Sequence, residues 1–247
     1  MPITETLLAA IFVLFCATLR GFTGFGLAVA LVPLLALVMT PQQAVPIVLV
    51  LQVAAGLQSL RSDWPHIDWR SIGLLLPGAV LGLPIGLFVL AQISPAVAKL
   101  VIGLLAAVAV LTLASGWRLK AAPGKAQVLA LGGLAGVFNG LAAMPGVAVV
   151  ALFLASPQPP AVARASMVFF FLLTGAVGAL LAYERGLLGG GNLLLAGLMI
   201  PPMMAGTWLG GLAFQRLGGR GYRPFGVAIL AAIAVMAVIQ GVAAILG

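Results

Sequence analysis

The chain has 247 residues, 63% of them hydrophobic and only 6% charged, with 32 glycines and a mean hydropathy of +1.26. A soluble domain of this composition would have too little polar surface for water, and repeated apolar runs of about 18–22 residues place the chain among polytopic helical membrane proteins. The net charge of +8 does not point to nucleic acid, because lysine and arginine in the short loops of such a protein act as topology signals.

The first apolar stretch runs from Thr4 to Val38 and carries two charges, Glu5 at its edge and Arg20 at its centre. No basic n-region precedes it, so it is expected to stay as a membrane element rather than be cleaved. At its middle stands Arg20-Gly21-Phe22-Thr23-Gly24-Phe25-Gly26. A charge at membrane depth needs a partner or water, and glycines loosen the helix that lipid otherwise enforces. Broken helices with a cation at the break are how transporters build anion sites at the midplane. Arg20, Gly21, Thr23, Gly24 and Gly26 are therefore candidate substrate-binding residues. Two roles are open to them. Arg20 either snorkels and caps the first half-helix or attracts an oxyanion with its planar guanidinium. The glycines either permit close helix packing or expose backbone N–H groups at the start of the half-helix that follows.

Further apolar segments read at 43–60, 71–91, 96–116, 126–156, 161–183, 192–213 and 225–246. The sole histidine, His66, lies in a polar loop between Asp63 and Asp68, where a solvated role suits it better than a metal site. The single cysteine, Cys16, excludes an internal disulfide and supplies no metal cluster. Segment 126–156, like 4–38, is too long for one straight span, and it is interrupted by Asn139-Gly140 and Met144-Pro145-Gly146. Asn139, Gly140 and Gly146 join the candidate site on that ground, although an asparagine there also serves as a helix cap. Arg164 follows Pro159-Pro160 and either neutralises lipid phosphate or adds a second cation to the pocket. Trp64, Trp69, Trp117 and Tyr222 fit interfacial anchoring, while Trp208 is more central and suits a pathway wall.

The chain repeats itself about 120 residues apart. Pro77-x4-Gly82-x3-Gly86 recurs as Pro201-x4-Gly206-x3-Gly210, and Leu105–Val110 recurs as Leu230–Val235. Gln52-x3-Gly56 lines up with Thr174-x3-Gly178. The matched polar pair Gln52 and Thr174 is placed either for interhelical hydrogen bonds or for a ligand. The repeat divides the chain into a first transmembrane repeat at 1–118, a linker loop at 119–125 and a second repeat at 126–247.

Loop charges arbitrate the topology. If each long segment crossed once, the loops would split six cations to four, leaving Arg20 and Arg164 aside. If each turned back at its break, Arg61, Arg70, Arg118, Lys120, Lys125, Arg216, Arg220 and Arg223 would face Lys99 and Arg185, eight to two. The positive-inside rule favours the second arrangement. It puts both termini on the periplasmic side and makes the halves inverted. The expected fold is all-α: two inverted repeats, each a broken helix or hairpin followed by three transmembrane helices.

Gly21-Phe22-x-Gly24-Phe25-Gly26, with Pro33 seven residues on, resembles the opening of the sulfite exporter TauE/SafE family. The second-half counterpart, Asn139-Gly140-Leu-Ala-Ala-Met144-Pro145-Gly146, departs from the family's glycine cluster at Met144 and Pro145. It also has Ala151 where a proline is common. The paired Pro-x4-Gly-x3-Gly helices are similar to those of the family too, so the resemblance spans nearly the whole chain. It implies transport of small sulfur-containing anions such as sulfite, sulfonates or sulfoacetate-like compounds.

The acids Glu5, Asp63, Asp68 and Glu184 all lie at segment ends or in loops. No carboxylate is left at depth for a proton relay, and no His/Asp/Glu/Cys constellation offers enzyme chemistry. An anion leaving a cell with a negative interior gains about 2.3 kcal/mol per charge per 100 mV, so export needs no coupling. The expectation is a secondary transporter in the bacterial-type inner membrane, with an anion channel or a carrier of non-sulfur organic anions as the alternative. Its partners are a small anion and lipid; no cofactor is expected, and Gly-x3-Gly faces permit a homodimer.

Overall fold

A computed structural model describes residues 3–23, 26–115, 124–155, 159–217 and 222–246. The described residues form ten α-helices joined by short connections: α1 (Ile3–Thr23), α2 (Leu27–Leu35), α3 (Pro41–Asp63), α4 (Trp69–Gln92), α5 (Pro95–Ser115), α6 (Lys125–Ala142), α7 (Gly146–Ala155), α8 (Pro160–Glu184), α9 (Gly190–Leu217) and α10 (Tyr222–Leu246). Seven of these, all but α2, α6 and α7, are long and apolar enough to cross a membrane. Both overlong apolar segments are split near their middles.

The breaks are made differently. Gly26 ends the first interruption with φ +91°, a left-handed conformation that costs an L side chain about 1–2 kcal/mol and glycine nothing comparable. At the second, Ala143 itself takes the left-handed form with φ 54° and closes α6 by donating to the Asn139 carbonyl at 2.8 Å. Pro145 then has no N–H to continue the ladder and disfavours helical geometry at Met144, so α7 restarts at Gly146. The break thus lies at residues 143–145, and Asn139 and Gly140 belong to the last turns of α6.

Elsewhere the helix ends are capped locally. Thr40 and Gln43 form a capping box before Pro41 at the start of α3. The Asp68 carboxylate accepts from the Arg70 and Ser71 amides, each at 3.2 Å, and opens α4. Gln42 Nε2 donates to the carbonyls of Leu90 and Ile93 at 3.3 and 3.0 Å, tying the start of α3 to the end of α4. The Asp68 amide donates to Ser166 Oγ at 2.8 Å, so α8 begins beside the start of α4.

Glycine positions the bundle. On α4, Gly78, Gly82 and Gly86 meet the α6 backbone, and Gly132, Gly136 and Gly140 of α6 meet α4 at Leu75, Ala79 and Leu83. At each of these positions a Cβ would collide with a carbonyl of the facing helix, so two backbones approach as only glycine allows. Cα–H to carbonyl contacts of this kind contribute about 0.5–1 kcal/mol each. Residue numbers rise together along this seam, so α4 and α6 run parallel. The same holds for α1 and α9, where Gly206 meets Leu14 to Thr18 and Gly21 meets Thr207 and Gly210. Gly103 against Ala237 and Gly241 against Leu100 make α5 and α10 antiparallel. Gly56 packs on Leu172 while Gly178 packs on Leu49, which centres the α3–α8 crossing. Every one of these seams joins the first half of the chain to the second.

Candidate functional site

α2 and α7 bring their N-terminal ends to one cavity of about 80 Å³. Gly26 to Val29 line it from the first break and Met144 to Val147 from the second, with Gln52 of α3, Thr112 of α5 and Phe171 of α8 completing the wall. Among the described residues, Ala30 is the first of α2 whose amide donates to a backbone carbonyl, that of Gly26 at 3.1 Å. The first amides of α2 have no carbonyl one turn back within the helix itself, as at any helix start. Each helix start carries roughly half a positive charge. Arg20, half-buried at the end of α1, adds a full one and donates from Nη2 to the Ala55 carbonyl at a long 3.4 Å.

Gln52 braces the second break. It is buried against α8, and its Nε2 donates to the Ala143 carbonyl at 2.6 Å, fixing the left-handed residue of the second break. Its Oε1 is buried without a hydrogen-bond partner among the described residues. Asn139 is fully buried, and neither atom of its amide has a partner among the described residues.

A second cavity, of about 190 Å³, lies on the other side of Arg20. Arg164 lines it together with Gly21, Gln58, Ser59, Ser62, Thr207 and Trp208, and Arg20 and Ala55 belong to both cavities. No carboxylate is among the described lining residues of either cavity. The described charges that act on Arg20 are Arg164 and Asp63. Asp63 lines neither cavity, and among the described residues its Oδ2 is buried without a hydrogen-bond partner.

The residues expected from the sequence thus separate. Arg20, Gly26, Gln52 and Gly146 share the central cavity, and Gly21 and Arg164 share the second with Arg20. Gly140 is spent on the contact with α4, and the Thr174 hydroxyl donates to the Phe170 carbonyl at 2.8 Å within its own helix. Gly24 and the Thr23 side chain lie outside the described residues, as does most of the linker at 119–125. Trp64 and Trp69 pack edge-on to each other with ring centroids 4.9 Å apart and both reach Phe169.

Sequence reasoning missed Gln58, Ser59, Ser62 and Thr207. A signal for the two serines was present: Gln52, Ala55, Gly56, Ser59 and Ser62 recur at helical spacing and mark one small, polar stripe of α3. Among the described residues no group of three His, Cys, Asp or Glu could hold a metal ion.

An all-helical bundle with seven apolar spans and a basic internal cavity is a multi-pass membrane protein built for transport. The family model described as Sulfite exporter TauE/SafE matches residues 8–237, and the chain belongs to that family of membrane transporters. No curated protein and no solved structure gives a significant match.

Proposed function

We propose that the protein is a secondary carrier that exports a small sulfur oxyanion or sulfonate across a bacterial inner membrane by alternating access. The observation that carries this reading is the meeting of two half-helix N-termini and Arg20 on one cavity. Free backbone donors and helix dipoles suit an anion without demanding one particular shape. The guanidinium adds a planar pair of donors that matches sulfonate oxygens. Arg20, Gly26, Gln52 and Gly146 are the substrate-binding residues of this site.

The topology we infer is two inverted repeats, with each broken segment turning back. It is supported by the parallel seams α1–α9 and α4–α6. With α4 running from the Asp68 end to the Ile93 end, α6 runs the same way, yet α8 starts again beside Asp68. The chain must therefore return through α7. Gln42, just after α2, sits at the Ile93 end, which fits the same return in the first half. Arg61, Arg70 and Lys125 then share the cytoplasmic face, and both termini lie outside.

Purified protein in proteoliposomes, offered sulfite, thiosulfate, small sulfonates and simple carboxylates, tests the reading. Saturable flux of a sulfur anion with trans-stimulation is expected. Ohmic conductance would replace the carrier by a channel, and preference for carboxylates would remove the sulfur assignment.

A further inference from the structure

We infer that the second cavity is a separate anion-binding station on the route to the central site, and that Arg20 is shared between the two. Two arginines line this cavity, and no carboxylate is among its described lining residues. Their charges act on each other. Like charges held beside one space are unfavourable unless something of opposite sign enters it. Asp63, at the end of α3, is the one described acid whose charge reaches Arg20, so the pair of cations keeps a net positive excess.

The rest of the lining is chemically matched to an oxyanion. Gln58 brings donors, the Thr207 hydroxyl donates to the Met203 carbonyl at 2.9 Å and leaves its oxygen at the wall, and Ser59 Oγ is buried without a hydrogen-bond partner among the described residues. Trp208, 63% exposed in the protein alone, presents an apolar ring at the edge of the space. Both the end of α3 and the start of α8, which supply Ser62 and Arg164, belong to the end of the bundle that carries Arg61 and Arg70. An anion entering there meets Arg164 first and Arg20 second. Because Arg20 also lines the central cavity, the anion passes to the half-helix ends without leaving the field of a guanidinium. The order of the two stations rests on the proposed function; the existence of the second does not.

The test uses the full-length protein in detergent, with sulfite as the probe anion and Trp208 as the reporter. Wild type is expected to show a saturable fluorescence change that disappears in Trp208→Phe. Arg164→Gln is expected to lose that change and to raise the KM for transport in proteoliposomes at least tenfold, with maximal rate preserved. Gly146→Val fills the central cavity instead; it is expected to lose transport while keeping the Trp208 signal. The inference is overturned if wild type gives no Trp208-dependent change, or if Arg164→Gln keeps both the signal and the wild-type KM. It is also overturned if Gly146→Val, eluting as a monodisperse wild-type-like particle, loses the signal along with transport. Wild-type transport by Gly146→Val would instead remove the central site and leave the second station standing.

Discussion

Replacing Arg20 by alanine should nearly abolish transport without disturbing the fold. In the proposed complex a sulfonate oxygen contacts the guanidinium, which puts the two charge centres about 4 Å apart. At the effective dielectric constant of about 20 that suits partly buried sites, such a pair is worth about 4 kcal/mol, against about 1 kcal/mol in bulk water. The two helix ends keep their partial charges in the variant and hold part of the affinity. The expected loss is therefore about 2–4 kcal/mol, or roughly 30- to 1000-fold in apparent affinity at 1.4 kcal/mol per decade. Arg20→Lys keeps the charge but not the fork, and should lose about tenfold. The structural cost is small, because the described hydrogen bond from Arg20 is a 3.4 Å contact to the Ala55 carbonyl, and such a bond contributes at most about 1 kcal/mol. Initial rates of labelled sulfite uptake into proteoliposomes, with size-exclusion elution as the folding control, measure both parts. A normally folded Arg20→Ala protein whose KM stays within threefold of wild type would refute the reasoning.

Glycine seams give paired predictions on a single helix. Gly136→Ala places a Cβ against the Ala79 carbonyl, which is backbone and cannot yield, so thermal unfolding in detergent should reveal a loss of about 1–3 kcal/mol. Gly133→Ala, whose Cβ would meet nothing closer than the Gly78 carbonyl at 3.8 Å, should melt like wild type or slightly above. Gly26→Ala forces a side chain into φ +91° beside Leu230 and should cost about 1–2 kcal/mol while lowering transport; equal melting points and rates would show that the break does not need that conformation. Gln52→Leu strips the donor from the Ala143 carbonyl and should cost about 1–3 kcal/mol, read by the same melting assay; an unchanged midpoint would mean that the second break holds itself.

Much of this bundle is legible in the sequence, for a physical reason. Lipid forces apolar runs into helices, so hydropathy alone places α3, α4, α5, α8, α9 and α10 within a few residues, and two overlong runs with glycine or proline in their middles announce the breaks. The second break was harder to place within its run. Asn139-Gly140 looks like an interruption, but the helix absorbs Gly140 because the missing Cβ is what lets α4 approach, and the stop comes three residues later where Ala143 and Pro145 act together. Arg20 was visible because a charge in an apolar run is costly and rare. The second cavity was not visible as a site, since it takes residues from α1, α3, α8 and α9 whose meeting depends on tertiary pairing. Gln58, Ser59 and Ser62 are ordinary helix-end residues until Arg164 and Thr207 are placed opposite them.

The seams also say which parts move together in the proposed transport cycle. A glycine-lined contact in which a Cβ would strike a carbonyl has no slack for sliding, so α1 with α9 and α4 with α6 each behave as one body. Each pair takes one helix from either half of the sequence. The first broken segment is thus fastened to α9 of the second half, and the second broken segment to α4 of the first. A rocking motion between sequence halves would tear both seams. In the proposed cycle a motion between the two mixed bodies leaves both seams intact, while Gln52, Thr112 and Phe171 of α3, α5 and α8 complete the wall of the central cavity. The central cavity takes the start of α2 from one broken segment and the start of α7 from the other. Each mixed body brings one half-helix N-terminus, so in the proposed cycle the complete anion site forms only when the two close on it.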